Sequence, residues 1–327
     1  MGSKSVFILT QVLLGVVAGQ QVSPSRNADL LIPRTTVDIP FNYGRSSVGR
    51  WSGGALLVVE NAHSAAPIVR VFDRSGNVIS NITFTIPGAS LIHIYFGNSA
   101  RGSDGTIAVG GSAYTNDSRG GTFVAWISSD GLQQRVFRVS PFAPYGVTVA
   151  ADGTIWAAGR ELIDGEEVAP HHHIIRRFDK TGKMLSSMIP KSSLKIYDAT
   201  HPAQKSYLVS SRDRIGWYSQ SSREYIEFAL DGTVLDRVKT AVIGENKLVG
   251  GVALCDNGGL FVSAILPSNS GAGGWEILAL DRQRGEWLSI PRSEKWGVVY
   301  GCDGTNLVST TNWSAMTWLE PASRNPR

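Results

Sequence analysis

The sequence predicts an all-β fold: a six-bladed β-propeller of four-stranded antiparallel blades, its ring closed by an N-terminal strand that completes the last blade. Three observations carry this prediction. A β-rich run entered through an Asp-Gly type turn recurs roughly every 50 residues, the period of a propeller repeat. A second apolar strand, ending in an Asp/Gly turn, alternates with it. The last repeat lacks a fourth strand, and the N-terminal region carries one to spare.

The chain opens with a targeting pattern. Lys4 is followed by an apolar run from Val6 to Val17, broken only by Thr10, Gln11 and Gly15. Small residues Ala18 and Gly19 then precede polar Gln20, Gln21 and Ser23. The run is shorter than the roughly 20 residues needed to span a bilayer, so residues 1–19 read as a signal peptide and 20–327 as the propeller domain. A retained N-terminal anchor is the alternative. A secreted or periplasmic location, with no membrane span in the mature chain, is expected.

The first repeated signal reads Asp104-Gly105-Thr106-Ile107, Asp152-Gly153-Thr154-Ile155, Asp256-Asn257-Gly258-Gly259 and Asp303-Gly304-Thr305-Asn306. Ser52-Gly53-Gly54-Ala55 is a weaker copy, and Ala203-Gln204-Lys205-Ser206 the weakest. Copies at 53, 104, 152, 204, 256 and 303 are separated by 51, 48, 52, 52 and 47 residues. The second signal reads Phe72-Asp73-Arg74-Ser75-Gly76, Ser129-Asp130-Gly131, Phe178-Asp179-Lys180-Thr181-Gly182, Leu230-Asp231-Gly232 and Asp281-Arg282-Gln283-Arg284-Gly285. Asp and Gly tolerate the backbone conformations that reverse a strand. No amphipathic helical pattern of useful length interrupts these signals, which excludes an alternating α/β architecture.

The third repeat gives the clearest blade: strands at Tyr145–Ala150, Thr154–Ala158, His173–Phe178 and Lys183–Ile189, then Pro190. The sixth offers Gly297–Gly301, Asn306–Thr310 and Ala315–Leu319, and no fourth strand. Thr35–Pro40 resembles the fourth-strand endings Phe84–Pro87, Ser187–Pro190 and Leu288–Pro291, and is expected to pair with Ala315–Leu319. Such pairing would cover an edge that otherwise invites aggregation.

The stretch Pro144–Val149, Asp152–Trp156 and Ile175–Lys183 resembles an NHL-type propeller repeat, within the group that includes gluconolactonase-like and streptogramin-lyase-like six-bladed propellers. Ala157-Ala158-Gly159 departs from it where such repeats carry an acidic residue. The resemblance implies a ligand site at one mouth of the central channel, built by connections from fourth to first strands and by loops between second and third strands. The matching positions are Tyr43, His93, Tyr145, Asp198, Lys247 and Trp296, with Glu60, Asn61, Tyr114, Arg160, Glu161, Arg212, Asp213 and Asn312 on the loop side. Aromatic rings with a few charges suit a small polar ligand such as a sugar or peptide, or a protein partner.

A binding or scaffold module acting through that mouth, without a cofactor and as a monomer, is the first reading. The alternative is a metal-dependent, lactonase-like hydrolase or lyase. It would need an oxygen cage for Ca²⁺, for which Glu60, Glu161, Asp198 and Asp213 are candidate donors, or an acid–base pair such as His93 and Glu161. His171, His172 and His173 are consecutive, so in a strand at most two of them share a face, and a solvated loop is expected there instead of zinc. With a net charge of +4 and no Lys/Arg stripe, nucleic acid is not an expected partner. Cys255 and Cys302 precede Asp256 and Asp303 in adjacent repeats, and two buried thiols are expected in preference to a bridge. Asn81-Ile82-Thr83, Asn116-Asp117-Ser118 and Asn312-Trp313-Ser314 match the glycosylation acceptor pattern.

Overall fold

The computed structural model describes residues 31–39, 46–117, 119–163, 166–167, 171–197, 203, 206–243, 247–266, 274–290, 297–311 and 315–321. Among these residues the chain is all β, with one 3-10 turn at Lys191–Ser193 and no α-helix. The described strands form six four-stranded antiparallel runs, five of them in sequence order and the sixth completed by the first strand. Unit one is β2 (Ser46–Ser52), β3 (Ala55–Glu60), β5 (Ile68–Phe72) and β6 (Val78–Thr83), with the two-residue β4 (His63–Ser64) reaching into the next unit. Unit two is β7 (Leu91–Arg101), β8 (Ile107–Tyr114), β9 (Gly120–Ile127) and β10 (Gln134–Arg138). Unit three is β11 (Phe142–Val149), β12 (Ile155–Ile163), β14 (His173–Phe178) and β15 (Met184–Pro190), and the short β13 (Glu166–Glu167) pairs with β12. Unit four is β16 (Ser206–Ser210), β17 (Arg214–Ser219), β18 (Glu224–Ala229) and β19 (Val234–Lys239). Unit five is β20 (Leu248–Leu254), β21 (Leu260–Leu266), β22 (Gly274–Asp281) and β23 (Glu286–Ile290). Unit six is β24 (Val299–Asp303), β25 (Asn306–Thr311), β26 (Ala315–Pro321) and β1 (Leu31–Asp38).

The turn signals work through side chains. Asp104 Oδ1 accepts from the Thr106 amide at 3.0 Å and from its hydroxyl at 2.7 Å, and Asp152 repeats this with Thr154 at 2.9 and 2.6 Å. Between third and fourth strands, Asp179 takes the amides of Thr181 and Lys183, and Asp73 takes those of Asn77 and Ser75. These bonds favour the ionised carboxylate and hold both pKa values below the usual range, led by the Asn77 amide for Asp73 and the Thr181 hydroxyl for Asp179. The local bonding leaves a sequence signature.

Burial falls from the middle of each unit outward. Second strands are continuous apolar runs with nearly every residue buried, as in β3 and β8, because both faces meet neighbouring units. Fourth strands such as β6, β15 and β19 are largely exposed. Six apolar clusters lie at the junctions between successive units, and one of them, holding Trp51, Leu56, Val308 and Trp318, joins unit six to unit one. The first strands contact one another in cyclic order, β2 to β7, β11, β16, β20, β24 and back to β2.

β1 pairs with β26 in antiparallel register, Thr35 opposite Trp318, Thr36 opposite Thr317, Val37 opposite Met316 and Asp38 opposite Ala315. Leu31 and Ile39 are buried at its two ends. The surplus strand thus takes the vacant fourth place; Pro40 lies outside the described residues.

Two expectations are corrected. The weakest repeat copy was placed one strand early: Tyr207-Leu208-Val209 belongs to the first strand of unit four, and the turn into the second is Ser211-Arg212-Asp213. The cysteines form a disulfide, with Cα atoms 5.0 Å apart. The free-thiol expectation assumed that first strands of neighbouring units stay too far apart. Here they close in, because a Cβ on Gly251 would lie 2.0 Å from the Val299 carbonyl oxygen and one on Gly301 would lie 2.1 Å from that of Trp51. Trp51 and Gly301 even form a parallel bridge between β2 and β24.

Candidate functional site

The first strands share an irregularity. Register shifts interrupt their pairing with second strands in β2, β7, β11, β20 and β24, at Val48/Trp51, Ile94/Ser99, Pro144/Gly146, Val249/Gly251 and Val299/Gly301. A bulge re-aims the side chain of the extra residue. Arg50, Tyr95, Tyr145 and Tyr300 all fall inside these shifts.

At the end where second strands finish and first strands begin, five side chains from units one to three converge. His63 of β4 meets His93 of β7 edge-on, with ring centroids 4.8 Å apart. His93 and Tyr95, two residues apart on one face of β7, stand 4.3 Å apart at 42°. Tyr95 lies 6.0 Å from Tyr145 of β11, and the Arg160 guanidinium of β12 stands 5.2 Å from the Tyr145 centroid. Burial, and secondarily the neighbouring His63, lowers the His93 pKa, so this ring is neutral at pH 7.

Carboxylates at this end already have partners. Glu60 is 3.0 Å from Arg70, Glu161 pairs with Arg176, and Glu276 pairs with Lys247. Arg160 has no ion-pair partner among the described residues, and its Nε is buried without a hydrogen-bond partner. Arg50 of unit one reaches across to unit four, where it donates to the Leu208 carbonyl and stands 5.9 Å from the Tyr207 ring centroid. Enclosure lowers its pKa to about 10 against the opposing effect of Tyr207, so it keeps its charge at neutral pH. Burial likewise pushes Tyr207 up to about 12, with Arg50 opposing.

Arg50 also lines a narrow axial space together with Ala100, Thr148, Ser210, Val252 and Tyr300, so all six units contribute. The space holds about one water molecule. Cys302, near the end of β24, also lines this space, and its disulfide to Cys255 ties the ends of two neighbouring first strands together.

Of the sequence-derived positions, His93, Tyr145 and Arg160 come together. His93 and Tyr145 lie within first strands, and Arg160 and Glu161 within β12, which continues to Ile163 instead of giving way to a loop at Arg160. Glu60 ends β3 on the same side, and Lys247 precedes β20 as expected. Tyr114 ends β8, and its carbonyl accepts the Ser90 amide. Arg212 and Asp213 belong to the opposite end, at the turn between β16 and β17. There the Arg212 amide donates to Asp256 Oδ1 at 2.9 Å, and Asp213 holds Arg214. Tyr43, Asp198, Trp296 and Asn312 lie outside the described residues. Three of the four expected calcium donors, Glu60, Glu161 and Asp213, are thus engaged by arginines. His63 and Tyr95 were missed. The pattern His93-Ile94-Tyr95 before Gly97 is the one signal that points to Tyr95.

No family model matches the chain, and no curated protein matches it. Among solved structures, a Bacteroides fragilis protein described as a candidate exported protein is similar over 85% of this chain and 83% of its own, at 14% identity and TM-score 0.51. A DUF4221 family member from Bacteroides vulgatus is similar over 88% and 96%, at 10% identity and TM-score 0.48. A luciferin-regenerating enzyme is similar over 88% and 95%, at 12% identity and TM-score 0.46. The first likeness is one of fold alone, and the other two are weaker.

Proposed function

We propose that the chain is an exported six-bladed β-propeller, closed by its own N-terminal strand, that binds a small polar ligand at the mouth lined by His93, Tyr95, Tyr145 and Arg160. The cyclic contact of first strands and the apolar cluster joining units six and one support the closed ring. The signal-like N-terminus and the disulfide support export, because such bridges persist in oxidising compartments. One observation carries the binding reading: rings from three units converge under a guanidinium that has no ion-pair partner among the described residues, while Arg50 lines the narrow axial space behind them. Glu60, Glu161 and Glu276 are engaged by cations, which favours ligand holding over metal-assisted hydrolysis at this mouth.

Thermal unfolding of the mature chain against a panel of saccharides and short peptides tests this. A ligand is expected to raise the melting temperature of the wild type and of Arg212→Ala, and to have no effect on Tyr145→Ala. A ligand shift that survives Tyr145→Ala and vanishes in Arg212→Ala would place the site at the opposite end and overturn the reading.

A further inference from the structure

We propose that the mouth takes a carboxylated saccharide, with the sugar ring on the His93–Tyr95–Tyr145 wall and the carboxylate on the Arg160 guanidinium. This rests on the mouth-binding reading and names the ligand class of that site.

Charge is the first argument. Glu60, Glu161 and Glu276 are each neutralised by a neighbouring cation, which leaves Arg160 and the axial Arg50 in surplus among the described residues. Arg160 is half-buried, and its buried, unpartnered Nε is an incomplete arrangement, because an unmet buried donor forfeits its hydration without return. The planar fork of arginine matches a carboxylate in bidentate fashion. Contact with Tyr145 holds the group in place before a ligand arrives.

Ring shape is the second argument. His93, Tyr95 and Tyr145 succeed one another at 4.3 and 6.0 Å with tilts of 42° and 31°, a curved surface for the C–H face of a pyranose. The Tyr95 hydroxyl meets Ser112 Oγ at 3.5 Å, the outer limit of a hydrogen bond, and is free to turn toward a sugar hydroxyl. A peptide fits this wall less well. At His93 the edge of β7 is taken by β4, which pairs His63 with His93 and Ser64 with Ile92, so backbone pairing by a peptide is blocked there.

Calorimetric titration of the mature protein with D-galacturonate, its methyl ester and N-acetyl-dialanine separates the arguments. Galacturonate is expected to bind at least tenfold more tightly than the ester, which keeps the ring and loses the charge, and than the dipeptide, which keeps the carboxylate and loses the ring. Arg160→Gln should remove the preference for galacturonate over the ester. Should that variant not fold, Arg160→Lys keeps the charge without the fork and should weaken galacturonate at least threefold. Equal, Arg160-independent binding of acid and ester overturns the carboxylate assignment but leaves the mouth a binding site. Dipeptide binding as tight as galacturonate overturns the saccharide assignment. Absence of any response to galacturonate overturns the inference, while the broader panel above decides the mouth-binding reading separately.

Discussion

Arginine serves different ends on the two sides of the molecule. Between units four and five, Glu227 is 2% exposed and receives Arg214 at 2.8 Å, Arg282 at 2.6 Å and the Tyr225 hydroxyl at 2.6 Å. Burial opposes ionisation of Glu227, but the hydrogen bonds from Arg282 and Tyr225 outweigh it and bring the pKa below the usual range. Every charge in that network has a partner, which is what a structural network requires. In unit three, Arg160 lies against the Tyr145 ring, and among the described residues no carboxylate answers it. That contrast, among the described residues, is what supports the proposed ligand site at Arg160.

The comparison can be broken at several points. The largest effect is expected from deletion through Asp38, which removes β1, bares the edge of β26 and takes away the buried Leu31. Both regions depend on the ring that spaces them, so the truncated chain should lose cooperative unfolding by circular dichroism; an unchanged melting curve would show that the ring does not need the strand. Next is Glu227→Ala, which removes the buried carboxylate shared by Arg214, Arg282 and Tyr225 and should cost about 3–5 kcal/mol in denaturant unfolding. Cys302→Ser opens the disulfide and should cost about 2–4 kcal/mol. Because the bridge lies at the end remote from the mouth, ligand binding by the folded variant should be unaffected.

A smaller effect concerns pH. The folded-state pKa of His93 is depressed by burial and by His63, so the unfolded chain takes up the proton first as pH falls below about 6.5. The contribution of His93 to stability is therefore complete above that pH and declines as pH falls toward the folded value. His93→Gln should flatten this part of the stability profile, and a variant profile identical to wild type would remove His93 as its source.

Much of the architecture was legible because its signals are local. The Asp and Gly turns announce themselves through bonds spanning two to four residues, as at Asp152–Thr154 and Asp179–Lys183. Unit four was misread where that signal fails: its turn, Ser211-Arg212-Asp213, has no glycine. The disulfide was missed because the spacing of first strands is set by close backbone approaches at Gly251 and Gly301, which no local pattern encodes. For the mouth, His93, Tyr145 and Arg160 could be placed from strand ends alone. Tyr95 is signalled only by its place two residues beyond His93, and the register shift after Ile94 at which it stands is a property of pairing with β8.

The most direct test of the contrast between the two arginine sites is the stability of Arg160→Gln. If Arg160 serves a ligand, unliganded stability should change by less than about 1 kcal/mol, the loss of one cation–π contact, while ligand response is lost. A loss as large as that of Glu227→Ala, about 3–5 kcal/mol, would make Arg160 a structural residue and contradict the account.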